Sequence, residues 1–408
     1  MAPVLASYAL LGSYAVDWLD LVFRWFHVTA AVVWIGTSFY FVALDNHLLE
    51  PERDVDREEG VAGESWEIHG GGFYRIHKFR VAPPQLPRPL HWYKWEAYWT
   101  WLSGFALFSA LYYTDARLRL IDPSVADLEP WQAILISIAL LVAAWLVYDV
   151  VCRLLASRPL LLAAAILGLV TATAYGVERL YSSRAAYLQV GAMLGTIMAA
   201  NVLFVIIPAH WDLVKAKKAG RDPDPTPGIV GKQRSVHNNY LTLPVLFSML
   251  AGHFTFTYGH DHAWAALVAL MAVGAAIRHY FNLRHAGRTL WWIPVGCAGA
   301  IAAIAVWLRP ADTAPAQAGG APVAFARVQQ VVSERCLPCH SQQPTYAGVS
   351  APPAGVTFDS PEEIRARAAQ IRQVAVDSRT MPLGNATHMT DDERELLGQW
   401  IAQGAQIK

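Results

Sequence analysis

Charged residues are scarce in this chain. Asp, Glu, Lys and Arg make up 16% of its 408 residues, whereas soluble globular proteins carry about 25%. The two signs balance to a formal net charge of zero, so the composition gives no argument for a nucleic-acid-binding protein. Apolar residues make up 54% of the chain. We therefore expect membrane lipid to surround much of it and no nucleic acid to bind.

Cysteine is also scarce, and its four copies do not suggest a disulfide framework. Cys152 and Cys297 lie in apolar stretches, where we expect small, buried core residues. The N-terminal residues lack the basic segment of a cleavable signal peptide. The first membrane helix is therefore expected to act as the export signal.

Eight apolar stretches are long enough to cross a bilayer, which takes about 20 residues each. Eighteen Lys and Arg residues accompany the connections after the odd-numbered stretches, against four at the N-terminus and the other connections. The positive-inside rule then predicts that both termini face the periplasm of a bacterial inner membrane. The stretches are 17–44, 93–113, 131–152, 159–178, 186–208, 236–257, 262–282 and 290–308.

A segment rich in Pro, Ala and Gly divides the chain in two. The predicted fold class is all-α: an eight-helix transmembrane bundle (1–308), this linker (309–324) and a small class I cytochrome c domain in the periplasm (325–408). The last domain should open and close with amphipathic helices. Thr390 and Glu393 are placed to form a capping box at the start of the closing helix.

The C-terminal domain carries a haem-attachment motif. Cys336, Cys339 and His340 form C-x-x-C-H, which predicts one covalent haem c with His340 as an axial iron ligand. A methionine thioether as the sixth ligand would raise the reduction potential. Met381 is predicted for this position because Pro382 favours an extended loop, and Met389 is the alternative.

Two histidines fall at one depth in the outer half of the predicted bundle. His27 and His253 could ligate a haem b together, or they could serve in helix packing; both interpretations stay open. Four more histidines lie at the inner helix ends: His47, His210, His237 and His279.

Neutral polar residues also interrupt the apolar stretches. Asn201, Asn238 and Asn239 could hold a planar polar substrate or bridge helices. Arg24 should pair with Asp20 one turn earlier. The run 50–59 is expected to be a solvated loop, and "HGGGFYR" (69–75) is a weak candidate for an anion-binding turn.

Three stretches carry a resemblance to a known family. "DWLDLVFRWFHVTAAVVWIGTSFYF" (17–41), "GTIMAANVLFVIIPAHWDLVKA" (195–216) and "RSVHNNYLTLPVLFSM" (234–249), followed by C-x-x-C-H, resemble the membrane-bound, cytochrome c-fused urate oxidases of bacterial purine degradation. The resemblance implies oxidation of urate to 5-hydroxyisourate with water as the oxygen source. Electrons would pass to the fused haem c and on to a soluble cytochrome c or terminal oxidase, without hydrogen peroxide.

Attack by water on a purine needs a general base. Glu96, His210 and His237 are the candidates. A different class of function is an electron-transfer subunit that links quinol to a terminal oxidase without urate chemistry. A haem-based redox sensor is a third class, but no output domain is evident. Reduction of haem c by urate alone separates the first two.

Overall fold

Helices make up most of the chain in this computed structural model. The structure describes residues 2–309, 322–347 and 349–407, with side chains in the first helix described from Trp18 onward. Within these residues the helices are α1 (Ala2–His47), α2 (Asp54–Glu58), α3 (Trp95–Phe108), α4 (Ala116–Arg119), α5 (Pro130–Leu154), α6 (Pro159–Val177), α7 (Ser183–Asn201), α8 (Ile207–Lys218), α9 (Thr226–Ala251), α10 (Thr255–Tyr258), α11 (Ala263–His285), α12 (Trp292–Trp307), α13 (Phe325–Arg335), α14 (Pro361–Ala366), α15 (Ala368–Ile371) and α16 (Asp391–Ala402). A π-helical segment, Val202–Ile206, joins α7 to α8, and another, Ser109–Tyr113, extends α3.

Several of these helices are suited to a membrane. Within the described residues, five are long and apolar enough to span one: Trp18–His47, Pro130–Leu154, Pro159–Val177, Ser183–Lys218 and Ala263–His285. The chain therefore has the character of a membrane protein. Each of the other three predicted spans also coincides with a helix, but α12 has only 16 residues, and α3 and α9 do not meet the same criteria. The eight-span bundle stays a prediction.

The all-α prediction is wrong for the connection after α1. Strands β1 (Val61–His69) and β2 (Gly72–Phe79) pair antiparallel, with His69 opposite Gly72. Gly70 and Gly71 form the two-residue turn, with φ values of 58° and 83°. Positive φ at both positions is the geometry of the tight hairpin turns that glycine permits. The glycines of "HGGGFYR" therefore mark a hairpin turn.

The run 50–59 is also not simply a solvated loop. It contains α2, whose Asp56 is 3% exposed. Arg75 of β2 donates to the Asp56 carboxylate at 2.6 Å and, through Nε, to Glu64 of β1 at 3.0 Å. The hairpin is thus attached to α2 by the partly buried guanidinium of Arg75, because buried carboxylates need a charged partner.

The helix bundle packs around α7. Its residues contribute much of the buried apolar core, together with residues of α5, α6 and α11. Gly191 allows α7 to approach α9 closely, because a Cβ there would collide with the Ser248 side chain. Ser248 in turn donates to the Tyr187 carbonyl of α7 at 2.6 Å. As predicted, Cys152 and Cys297 are buried and unpaired, and Arg24 pairs with Asp20 at 2.7 Å.

The C-terminal region has a core of its own. Val328 and Val332 of α13 and Leu397 and Trp400 of α16 are buried in one apolar cluster. The predicted capping box is confirmed, since the Thr390 hydroxyl accepts from the Glu393 backbone and the Glu393 carboxylate accepts from the Thr390 backbone. Most of the predicted linker, residues 310–321, lies outside the described residues.

The C-terminal region contacts one end of the helix bundle. A Cβ on Gly384 would lie 2.7 Å from the Ile121 carbonyl oxygen and 2.8 Å from that of Leu118. At a second point, Gly259 lies directly against Ser378. Both contacted connections, after the second and sixth predicted spans, belong to the set that the charge count placed on the same side as the C-terminus.

Candidate functional site

The C-x-x-C-H motif lies at the end of α13, where the geometry suits a haem. Cys336 and Cys339 are free, half-buried thiols. The His340 backbone N–H donates to the Cys336 carbonyl at 2.9 Å, so the motif forms a compact turn. The His340 Nδ1–H donates to the Val356 carbonyl at 3.0 Å. That bond leaves His340 Nε2 free, so this atom would be the one to ligate a haem iron, as is usual for a ligating histidine whose other ring nitrogen is hydrogen-bonded.

Both candidate methionines lie against the core beside this motif. Met389 is buried in the apolar cluster, and Met381 packs partly buried against it, as does Cys336. The Met381 backbone is held by its N–H bond to the Val374 carbonyl at 2.8 Å. The residues present therefore fit a haem c, with an apolar wall and a thioether in the vicinity. The assignment of Met381 over Met389 stays a prediction.

His27 is occupied by contacts to α3. Its Nδ1–H donates to the Thr100 carbonyl at 3.0 Å and is 3.3 Å from the Ser103 hydroxyl. The ring also lies against Gly104, where a Cβ would be 2.7 Å from His27 Cε1. Packing between α1 and α3 accounts for all of these contacts.

The structure shows no contact between the two histidines predicted for haem b. His253 lies beyond the end of α9, exposed, with its backbone N–H bonded to the Leu250 carbonyl at 3.0 Å. Within the described part of the chain, no hydrogen bond or ring contact joins it to His27. Haem b ligation by this pair stays a prediction.

A polar network links α5, α7 and α9 inside the bundle. The Tyr148 hydroxyl is 2.8 Å from His237 Nδ1, and the Asn201 amide donates to Tyr148 at 3.1 Å and to Asn238 at 3.0 Å. Cys152 Sγ is 3.7 Å from His237 Nδ1. We call these five residues the tyrosine network. Three residues predicted from the sequence, Asn201, His237 and Asn238, thus come together.

A buried arginine borders the tyrosine network. Arg234 is 1% exposed and donates to the Asp149 carboxylate at 2.6 Å. Its guanidinium lies 5.0 Å from the Tyr148 ring centroid. Arg234 Nε and Nη1 and Asn201 Oδ1 have no partner among the described residues. The network can therefore share a proton between a phenol and an imidazole beside a cation whose charge Asp149 balances.

A second polar cluster lies between α9 and α11. Asn239 Oδ1 accepts from Arg278 Nε at 2.9 Å and from the Asn282 amide at 2.9 Å. His285 follows Asn282 by about one turn of α11. We call Asn239, Arg278, Asn282 and His285 the arginine cluster. Asn239, although adjacent to Asn238 in sequence, thus belongs to a different cluster, because consecutive helical residues point about 100° apart.

The three proposed bases do not meet. Glu96 lies in the first turn of α3, with one carboxylate oxygen buried and without a partner among the described residues. His210 is on α8, with its ring 6.4 Å from that of Trp92. Within the described residues, no hydrogen bond or ion pair connects either of them to His237. Only His237 belongs to a polar network.

Asp56, Glu64 and His77 could form a metal centre by composition. Their ligand atoms lie within 4.8 Å of one another, and His77 Nε2 is 3.3 Å from Glu64. However, Arg75 occupies the same place and neutralises both carboxylates. A cation there would have to displace a guanidinium, so we interpret the group as an ion-pair cluster.

The helical bundle and its buried polar residues define a membrane protein with candidate sites inside its helices. The family model "Urate oxidase N-terminal" matches residues 13–309. The chain belongs to this family, which indicates an oxidoreductase and is consistent with urate as the substrate. Searches among curated proteins and among solved structures found no significant match.

Five residues in and beside these clusters were not predicted from the sequence. They are Tyr148, Arg234, Arg278, Asn282 and His285. A signal was present for Arg278, because an ionisable residue within a predicted span is costly and usually functional. For Tyr148 no signal distinguished it from the many interfacial aromatic residues. Its role depends on which residue of a neighbouring helix it faces.

Proposed function

We propose that this protein is a membrane-bound urate oxidase that converts urate to 5-hydroxyisourate and delivers the electrons to its own haem c. The observation that supports it most is the family match over residues 13–309, which covers the helix bundle, followed in the same chain by C-x-x-C-H. Purine degradation in a bacterial inner membrane is the proposed setting, with the haem c domain in the periplasm.

The proposed reaction balances without dioxygen. The urate monoanion and one water give 5-hydroxyisourate, one proton and two electrons. The new C–O bond takes its oxygen from water, and the two electrons leave the purine. No oxygen is reduced in this step, so no hydrogen peroxide forms.

Haem c, held by Cys336, Cys339, His340 and Met381, would supply a one-electron acceptor. Two electrons per urate therefore have to leave one at a time, to a soluble cytochrome c or a terminal oxidase. The contact of Gly384 and Ser378 with the bundle supports this route. Gly384 lies three residues after Met381, so the loop that carries the proposed ligand contacts the bundle.

Glu96, His210 and His237 are proposed proton acceptors for water. The tyrosine network favours His237, since Tyr148 holds its Nδ1 at 2.8 Å. Replacing the true base by glutamine should lower kcat and change the pH dependence of kcat, with little change in KM. Asn201, Asn238 and Asn239 are proposed substrate-binding residues.

The experiment that tests the function is anaerobic reduction. Urate is added to purified, oxidised full-length protein, and the haem c spectrum is followed while 5-hydroxyisourate is measured. We expect two electrons per urate and no peroxide when an external oxidant regenerates haem c. If quinol reduces the haem and urate does not, the electron-transfer subunit is the correct function instead.

Haem b is a separate proposal. A pyridine haemochrome spectrum distinguishes haem b from haem c in the same sample. If His27 and His253 ligate haem b, alanine at either position should remove the b-type band and keep the c-type band. Protein without extractable haem refutes haem b and leaves the urate reaction untouched.

A further inference from the structure

Arg278 is a buried cation without a carboxylate partner. Its side chain lies in an apolar helix and is 4% exposed. None of the salt bridges within the described residues includes it, whereas the other buried arginine of the bundle, Arg234, is paired with Asp149 at 2.6 Å. Burying an unpaired charge costs several kcal/mol. A bound anion that pairs with Arg278 would offset the cost of burying its charge.

The residues around Arg278 also have unused hydrogen-bonding atoms. Two donors, Arg278 Nε and the Asn282 amide, converge on Asn239 Oδ1 at 2.9 Å each, which fixes the orientation of the Asn239 amide. This leaves Asn239 Nδ2 and Arg278 Nη2 as donors, Asn282 Oδ1 as an acceptor and His285 Nδ1, all buried and without a partner. Native proteins leave only a few buried polar atoms per 100 residues without a hydrogen-bond partner, so four such atoms in one cluster call for an explanation.

The acidic residues at this end of α1 are already engaged. Asp45 pairs with Lys78 and, at 3.2 Å, with Lys232. Glu67 of β1 accepts from Tyr40 at 2.7 Å and lies 3.6 Å from His47. They therefore leave the charge of Arg278 uncompensated.

The cluster also has a flat, apolar side. The Arg278 guanidinium lies 3.8 Å from the centroid of Phe39 on α1, and planar cations of this kind stack on aromatic faces. The paired N–H donors of the guanidinium are suited to binding a planar anion through two parallel hydrogen bonds. The ligand should therefore be a planar anion with hydrogen-bond acceptors for Arg278 and Asn239 and a donor for Asn282.

We propose that the arginine cluster is the binding site for the urate anion. This inference rests on the proposed function, because urate is the planar, monoanionic substrate that matches the unused atoms. Its carbonyl oxygens would accept from Arg278 and Asn239, and its ring N–H would donate to Asn282. Asn239 follows Asn238 directly, so the site adjoins the tyrosine network along α9.

Equilibrium binding of radiolabelled urate to dithionite-reduced full-length protein tests the site. Reduction removes the electron acceptor, so urate binds without turnover. Arg278→Gln should weaken binding by about 10- to 100-fold, the loss expected for a hydrogen bond to a charged group, and Arg278→Lys by less. The matched control is Arg284→Gln, an exposed arginine on the same helix, which should bind like the wild type.

Two results would overturn the site. One is that Arg278→Gln binds urate with wild-type affinity. This result would refute the site whether or not Asn201→Ala, in the tyrosine network, weakens urate binding. The other is an equal loss in Arg284→Gln, which would indicate only a general charge effect. If Arg278→Gln does not fold, Asn282→Leu takes its place, and it should weaken binding several-fold; unchanged affinity there also refutes the site.

The site and the function fail separately. Binding that depends on Arg278, without any reduction of haem c by urate in the oxidised protein, would refute the oxidase and keep the anion site. Reduction of haem c with unchanged KM and affinity in Arg278→Gln would refute the site and keep the oxidase.

Discussion

At the scale of single residues, Arg335 connects the two helices that enclose the haem c motif. Its guanidinium binds the Glu393 carboxylate at 2.9 Å and the Thr387 carbonyl at 2.7 Å. Burial acts to raise the pKa of Glu393, but the hydrogen bonds from Arg335 and the Thr390 backbone outweigh it and lower that pKa. Glu393 therefore serves both as a helix cap and as an ion-pair partner.

We expect Glu393→Gln to destabilise the cytochrome domain by about 1–3 kcal/mol, as for other hydrogen bonds to charged groups. Thermal unfolding followed by circular dichroism in the haem Soret band measures this. Glu395→Gln, at an exposed position two residues further along the same helix, is the control. Equal stability of the two variants would contradict the role of the pair.

The same pair predicts a pH dependence. Because the pKa of Glu393 is lowered on folding, its contribution is complete above the unfolded value of about 4.3 and is lost as pH falls through the folded value. The stability difference between wild type and Glu393→Gln should therefore shrink on acidification below about pH 4. A stability difference that grows at low pH would mean that folding raises the pKa of Glu393 and does not lower it.

At the scale of elements, the hairpin depends on its two-residue turn. Gly71 has φ +83°, a conformation that β-branched residues avoid, whereas Gly70 at φ +58° suits asparagine, which is common at that position of such turns.

Gly71→Val should therefore open the hairpin, while Gly70→Asn should keep it. Hydrogen exchange of the paired backbone amides of Trp66 and Arg75 measures the difference, with faster exchange expected in Gly71→Val alone. Equal protection in both variants would show that the Arg75 ion pairs, rather than the turn, hold the strands together.

At the scale of the whole molecule, the two kinds of site lie at different ends. The C-terminal region that carries C-x-x-C-H contacts the connections that contain Ile121 and Gly259. The arginine cluster lies toward the C-terminal end of α11 and at the middle of α9, and Asn46, near the end of α1, donates to the Asn282 carbonyl at 3.4 Å. Substrate would bind at the end that carries the hairpin and electrons would leave at the other.

The contact at Gly384 should control the electron exit. A methyl group there would meet two carbonyl oxygens at 2.7 and 2.8 Å, so Gly384→Ala should slow the first reduction of haem c by urate in stopped-flow measurements. Gly355→Ala is the control, because Gly355 also has a positive φ, +65°, but has open space around it. Equal rates in both variants would mean that electrons do not cross at this contact.

The sequence by itself determined the local features. Apolar length predicted a helix at each of eight stretches, and a described helix lies at each of them. The C-x-x-C-H spacing predicted a haem c site, and Thr390 with Glu393 predicted a helix start, because each of these patterns depends only on neighbours along the chain. The tertiary structure decided which helix faces which. Asn238 and Asn239 are adjacent in sequence, yet one joins Asn201 and the other Arg278, because a helix turns them toward different neighbours. No local sequence pattern predicts which helices those neighbours belong to.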